Sequence, residues 1–453
     1  VASFAAAATI RVPQDAATIQ SGIDLAQPGD TVLVSPGTYT EFIDFKGKAI
    51  WLQSEAGPGQ TVIQSPGQFG FVVQAKTGET AATVFSGFTV QGGIANRNSH
   101  PQVPGGGMVV HGSSITVTDV VFRDNEGVMG GGVYAKHGAP TFTRVSFEDN
   151  RAVLGGGFAY EASNATLIDV KFLRNEAPYG GAVNGYGNLV IDGAYATGNF
   201  GNQFGSVVQS NGGTLHIRGM LAEGNGRYEG NQFSGIYSSL AGGAIYTSAT
   251  AGQIINSRFR ENAAAFGAAL YFAGGSTVRL VNSIVDHNLG LGGILVNDAS
   301  PRIINSTVRS NNNGALFVQR GRVPSVVNSV FAFNDKWGYA VEVFGPGVAA
   351  ITSSVVFNSS GGGNFTGPTV ITSDPRLDAE FRPLPGSPVI DAGDNSAVPN
   401  GILTDFFGSP RFVDDPEVAD TGIGVAPIVD IGAVERQVGL RAWPLSNSGK
   451  TSH

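Results

Sequence analysis

GGGVYAKHGAPTFTRVSFEDN (130–150), followed at once by RAVLGGGF (151–158), decides the fold. Two short runs alternate apolar and polar residues, as half-buried strands require, and glycine or asparagine breaks each run. No apolar period of 3.6 residues lasts long enough for a helix. The unit is therefore a set of short strands joined by tight turns.

The unit recurs. A small-residue turn followed by an apolar residue appears as GGGM, GGGV, GGGF, GGAV, GSVV, GGAI, GAAL, GGIL, GALF and GYAV. The closing residues are Met108, Val133, Phe158, Val183, Val208, Ile245, Leu270, Leu295, Leu316 and Val341, and seven of the nine intervals are 25 residues, one is 37 and one is 21. A fixed period of this size marks a solenoid, in which each unit buries its apolar face only against its neighbours. Leucine is too sparse for a leucine-rich repeat. The expected fold is all-β: a right-handed single-stranded parallel β-helix with about 25 residues per coil, a short N-terminal capping helix and an irregular C-terminal cap.

Period-two alternation sends Val133 inward and Tyr134 outward. The outward column continues through Ala159, Asn184, Gln209, Tyr246, Tyr271, Val296, Phe317 and Glu342. A polar column reads Asn125, Asn150, Asn175, Asn199, Asn225, Asn262, Asn288, Asn312, Asn334 and Asn358. Its amides both donate and accept, so copies stacked about 4.8 Å apart are expected to bond along the column as a structural ladder. Asn256, Asn282, Asn305 and Asn328, each followed by serine, suggest a second ladder, and Phe122, Phe147, Phe172 and Phe259 an aromatic stack in the core.

Composition narrows the function. Among 453 residues, 66 are glycine and 22 proline, yet 42% are hydrophobic and only 14% charged, so the chain folds and is rich in turns. The absence of cysteine excludes disulfides and thiolate chemistry. A net charge of −8 with seven lysines argues against a nucleic-acid partner. No apolar run is long enough for a membrane span. The alanine-rich start VASFAAAATI, without an initiating Met, is expected to follow a removed export signal, which points to an extracellular or cell-surface protein.

The GGAI-like and FxxN half-motifs, as in GGAIYTSAT and SFEDN, resemble the repeats of chlamydial polymorphic outer membrane proteins over residues 105–345. That resemblance implies a surface β-helical passenger. After residue 372 the segments SDPRLDAEFRPLPGSPVIDAGD, TDFFGSPR and VDIGAVER resemble the C-terminal part of bacterial choice-of-anchor Q proteins, which implies an exported β-helix protein of surface-attached type.

The organisation expected is an N-terminal segment (1–14), a cap with the first coils (15–104), regular coils (105–372) with an inserted loop (226–240), a C-terminal cap (373–436) and a tail (437–453). In DAATIQSGIDLAQ (15–27), Ala16, Ile19, Ile23 and Ala26 share a helical face behind an Asp15 cap. PGDTVLVSPGTYTE then reads as the first strand pair.

Candidate sites sit where the period breaks. The long interval carries Tyr228, Phe233 and Tyr237 near the outward Tyr246 and Tyr271, an aromatic and amide mixture suited to sugar rings. The competing reading is a loop that merely shields a sheet face; GIANRNSHPQVPG (93–105) is a second irregular loop. Asp391, Asp394, Asp405 and Asp430, with Glu435 nearby, offer oxygens for Ca²⁺ or, alternatively, cap turns; no cofactor is required.

Parallel β-helices, the pectate-lyase-like solenoids, host polysaccharide lyases and glycosidases. Glycosidases need paired carboxylates, and the β-helical lyases use an Arg or Lys base beside Ca²⁺-binding acids, a constellation that does not stand out among the regular coils. Asp149 with Glu176, or Glu148 beside Arg123 and Arg174, also fit simple cross-coil ion pairs. His111 and His137 lack the Gly-His-Gly context of the pectinase-like glycosidases, the six histidines show no metal-ligand spacing, and no catalytic residue is nominated. The first reading is a secreted or surface scaffold, adhesion or envelope-associated protein contacting a polysaccharide or a cell-envelope or surface protein. A polysaccharide lyase or glycoside hydrolase, and a subunit of an extracellular assembly, are the alternatives.

Overall fold

A computed structural model describes residues 6–67, 70–95, 105–227, 239–320, 324–334, 340–343, 349–357, 365–367 and 369–438. The chain winds into a right-handed parallel β-helix. Each coil lays one strand on each of three faces, so Val133–Lys136, Thr141–Thr143 and Ser146–Glu148 pair in parallel with the matching strands one coil on. A fourth, narrower ribbon runs through Glu126–Met129 and Arg151–Leu154 and continues as single bridges at Glu176, Tyr179, Phe200 and Phe204. Alternation puts Val133 and Ala135 in the core, both fully buried.

The register confirms Met108, Val133, Phe158, Val183, Val208, Ile245, Leu270, Leu316 and Val341 as one inward column, with one correction. Leu270 pairs with Ile294, not Leu295, and Ile294 pairs with Leu316. Leu295 accordingly replaces Val296 in the column of Tyr271 and Phe317. The cause is a shorter turn. Gly130 precedes the first inward residue by three positions, whereas Gly292 precedes it by two.

At the turns led by Gly130 and Gly180 the glycine is a steric necessity. Gly130 and Gly180 have φ of 68° and 63°, and a Cβ on either would sit 2.0 Å from the carbonyl oxygen of Val133 or Val183.

Asparagines fill the third corner. Each follows a left-handed residue (Asp124, Asp149 and Arg174 at φ 53° to 55°), which turns the chain and aims the next side chain inward. Nδ2 of each asparagine donates to Oδ1 of the next at 2.8–3.0 Å, from Asn125 to Asn334. The ladder member after Asn288 is Asn311 and not Asn312, because the left-handed residue there is Ser310. Asn358 lies outside the described residues.

The second column needs a larger correction. Asn256, Asn282, Asn305 and Asn328 adopt φ between 47° and 50° and act as the corner residues themselves. Ladder bonds run instead through the serines that follow. The N–H groups of Ser257, Ser283, Ser306 and Ser329 donate to the hydroxyls of Ser283, Ser306, Ser329 and Ser354 at 3.1–3.2 Å. The expected phenylalanine stack is buried. Phe122, Phe147 and Phe172 stack at 5.7 and 5.2 Å, while Ala196 and Ala222 separate Phe259 from them in the same column.

At the N-terminal end the helix α1 (Ile19–Leu25) buries Ile19 and Ile23 in the core, flanked by Ala16 and Ala26. Its cap is Thr18, in a reciprocal capping box with Ser21; Asp15 instead accepts the Arg11 N–H at 2.8 Å. The first rung is also earlier than expected, because Thr9–Val12, before the helix, pairs with Thr31–Val34.

The C-terminal segment folds back along the side of the last coils. Ile255, Val281, Ile304 and Val327 project from the second face and are covered by Ala397 and Ile402. Arg411, fully buried, donates to Asn282 Oδ1 and the Gly432 carbonyl at 2.7 Å and pairs with Glu435 at 3.2 Å. Asn328 accepts the Asp394 N–H and donates to the Asp394 carbonyl. Two of the outward asparagines, Asn282 and Asn328, therefore hold the cap.

Asn175→Ala would leave the Asn150 and Phe147 groups it serves unsatisfied in the core. We expect a loss of about 3 kcal/mol in denaturant unfolding, against less than about 0.5 kcal/mol for the exposed control Asn202→Ala. Arg411→Ala should raise amide hydrogen exchange across 373–438 and leave the Asn125–Asn225 coils protected.

Candidate functional site

The outward column of the first face is mostly covered. Val109, Tyr134 and Ala159 form an apolar cluster under Phe71 and Met129. The cover comes from the fourth ribbon, whose Met129, Leu154, Tyr179 and Phe204 each precede the turn glycine of their coil. Tyr179, Phe204, Tyr246 and Tyr271 then form an aromatic file, with successive ring centroids 6.0, 4.6 and 5.3 Å apart. Tyr246 and Tyr271 are thus half-buried neighbours on adjacent coils, and Asn297 donates to the Tyr271 hydroxyl at 3.1 Å.

Beside this file lies an open cavity of about 270 Å³ between Tyr179 on the ribbon and Tyr186 at the end of the first-face strand. Asn184, Gln209 and Asn211 supply its polar lining. Asn184 donates to Gln209 at 3.0 Å, and Gln209 donates to Asn211 at 3.3 Å, which orients the amides before any ligand arrives. Tyr186 is 47% exposed, and Gly185 beneath it lets the ring of Tyr160 approach the strand.

A charged network borders the cavity. Glu161 accepts from Tyr134 at 2.6 Å, Tyr186 at 3.1 Å and Lys136 at 2.6 Å. Burial alone would raise the Glu161 carboxyl, but the bonds from Lys136, Tyr134 and Tyr186 hold it below its ordinary value. Burial and the Glu161 carboxylate push Tyr134 up. The carboxylate thus fixes the Tyr186 ring, while Lys136 neutralises it.

Tyr228, Phe233 and Tyr237 lie outside the described residues. The ends of their insertion are placed: Arg227 stacks on Phe200 at 4.5 Å, and Ala241 bridges Phe204 and Phe266. Both described ends of the long interval therefore lie beside the aromatic file. Sequence reasoning missed Tyr179, Tyr186 and Glu161. The large residue before each turn glycine is a column that would have revealed Tyr179.

The coil carboxylates that the sequence offered for catalysis are engaged by neighbouring side chains. Asp149 holds Arg174 through two bonds of 2.8 and 2.7 Å, Glu176 faces Arg151 at 3.7 Å, and Glu148 accepts the Ser146 hydroxyl. Arg123 donates to Gln91, and the rings of His111 and His137 on adjacent coils lie 5.8 Å apart, tilted by 38°.

In the C-terminal cap the four aspartates do not converge. Asp394 caps a short 3₁₀ turn, Asp405 accepts three backbone N–H groups, and Asp430 accepts those of Asp391 and Arg436. Burial pushes Asp430 up to about 7 and Glu435 well above its usual range. Asp391 instead meets Asp414 and Asp420, with one carboxylate oxygen from each lying within 4.8 Å of the others. Burial, reinforced by these neighbours, pushes Asp391 up to about 6.

A family model described as right handed beta helix region matches residues 219–360. The chain is similar to the crystal structure of pectate lyase Pel9A, with 14% identity and a TM-score of 0.32 over 92% of this chain and 90% of that one. No curated protein matches the sequence.

Because the folded pKa of Glu161 is depressed, its contribution to stability is present above its unfolded value and lost as pH falls through the folded one. Acid titration of thermal stability should therefore show a loss below about pH 4.5 that is smaller in Glu161→Gln. Equal slopes in the two proteins would contradict the network's role.

Proposed function

We propose that the protein is a surface-displayed β-helix scaffold that binds a neutral polysaccharide along its first face. The observation that supports this most is the cavity between Tyr179 and Tyr186 with its floor of pre-oriented amides. Sugar rings present an apolar face to an aromatic side chain and hydroxyls at their edges, and amides meet those hydroxyls as both donors and acceptors. A neutral chain is favoured because Asn184, Gln209 and Asn211 carry no charge and Lys136 neutralises Glu161 at the border. The aromatic file through Phe204, Tyr246 and Tyr271 runs across successive coils, so an extended chain meets several rings. Surface display is supported by the resemblance of SPVIDAGD and DIGAVE to exported, surface-attached proteins.

Affinity electrophoresis in gels containing neutral or uronate-rich polysaccharides tests this reading. Wild type should be retarded by a neutral chain, and Tyr179→Ala with Tyr186→Ala should weaken binding by at least about tenfold, as loss of two ring contacts of about 1 kcal/mol each implies. Unchanged retardation in the double variant would overturn it. Release of reducing ends or unsaturated products by wild type would favour the lyase or hydrolase reading instead.

A further inference from the structure

We infer that the C-terminal cap carries a divalent-cation site of the Ca²⁺ class formed by Asp391, Asp414 and Asp420. The three belong to two stretches of chain, and the fold forces them together. The Asp391 carbonyl accepts the N–H groups of Thr421 and Gly422, which docks the residue after Asp420. Asp391 Oδ2 accepts the Asp415 N–H at 3.2 Å, which docks the residue after Asp414. Both ends of the 414–420 loop are thus anchored on Asp391, and one oxygen from each carboxylate falls within 4.8 Å of the other two.

The second observation is Asp391 itself. It is fully buried, and its Oδ1 has no hydrogen-bond partner among the described residues, whereas the buried Asp405, Asp415 and Asp430 each have both carboxylate oxygens met by backbone N–H groups or Arg436. A buried carboxylate oxygen without a donor costs free energy unless something positive meets it. Among the described residues no basic side chain forms an ion pair with Asp391, Asp414 or Asp420, and Arg436 is committed to Asp415 at 2.6 Å. Three carboxylates without a counter-charge suit a hard cation that takes oxygen ligands. Asp414 and Asp420 are exposed on one side, which leaves room for water ligands, and three carboxylates exceed the one or two that Mg²⁺ takes while it keeps most of its water, so Ca²⁺ is the better fit.

The site lies beside the element that closes the cap. Asp391 N–H donates to Asp430, which accepts the Arg436 N–H, and Arg436 holds Asp415. A bound cation therefore ties the 414–420 loop to the core of the cap.

Titration of the EGTA-stripped full chain with CaCl₂ by calorimetry, and with Tb³⁺ by luminescence, tests the site. Wild type should bind one ion, and its cap should melt about 2 °C or more higher in millimolar Ca²⁺. Asp414→Asn with Asp420→Asn alters only exposed side chains, so it should fold, match or exceed stripped wild type in melting temperature, and bind Ca²⁺ at least about tenfold more weakly. Absence of binding by wild type at millimolar Ca²⁺, or binding unchanged in the double variant, would overturn the inference.

Discussion

Stacked amides inside the third corner are the interaction on which the other features depend. Asn150 donates to Phe122 and Asn175 and accepts from the Asn125 side chain and backbone, so a buried corner that would strand polar groups is saturated instead. In a low-dielectric interior such bonds are strong when complete and costly when one is missing. A one-residue slip would carry every inward side chain to the surface, and the ladder opposes it. Ladder spacings nonetheless vary from 23 to 37 residues, because each coil adjusts its length between the fixed corners.

That freedom explains where the candidate site lies. Tyr179 and Phe204 of the aromatic file lie on the narrow ribbon between the ladder and the turn glycine, where pairing reduces to single bridges, and they meet Tyr246 and Tyr271 of the first face. The ribbon carries large residues that either shield the first face, as Met129 does over Tyr134, or border a cavity, as Tyr179 does. Scaffold and candidate binding surface are thus separate sets of residues on the same coils.

The cap solves a different problem. The second-face corner of the later coils points asparagines outward, and one fully buried arginine reads that edge. Arg411 joins Asn282 of the solenoid to Gly432 and Glu435 of the cap, so its removal would leave an uncompensated carboxylate inside. The aspartates around it act mainly as acceptors for backbone N–H groups, which a compact segment with little regular structure needs in place of strand ladders.

The local pattern of the chain determined the coil, its inward column, the first ladder and the helix face at the beginning, because these depend on alternation and on a repeat that any neighbouring unit reinforces. Near misses such as Leu295 for Ile294 or Asn312 for Asn311 arose where a turn lost a residue or a run of asparagines offered two choices; only the left-handed corner resolves them. Tertiary structure alone decided that Asn282 meets Arg411 from 129 positions away, that Tyr179 and Tyr186 border one cavity, and that Asp391 joins Asp414 and Asp420 rather than Asp394 or Asp405. Those contacts have no period. They follow from where a single loop or cap returns to the stack, a choice set by packing and hydrogen-bond saturation over the whole surface rather than by any local spacing.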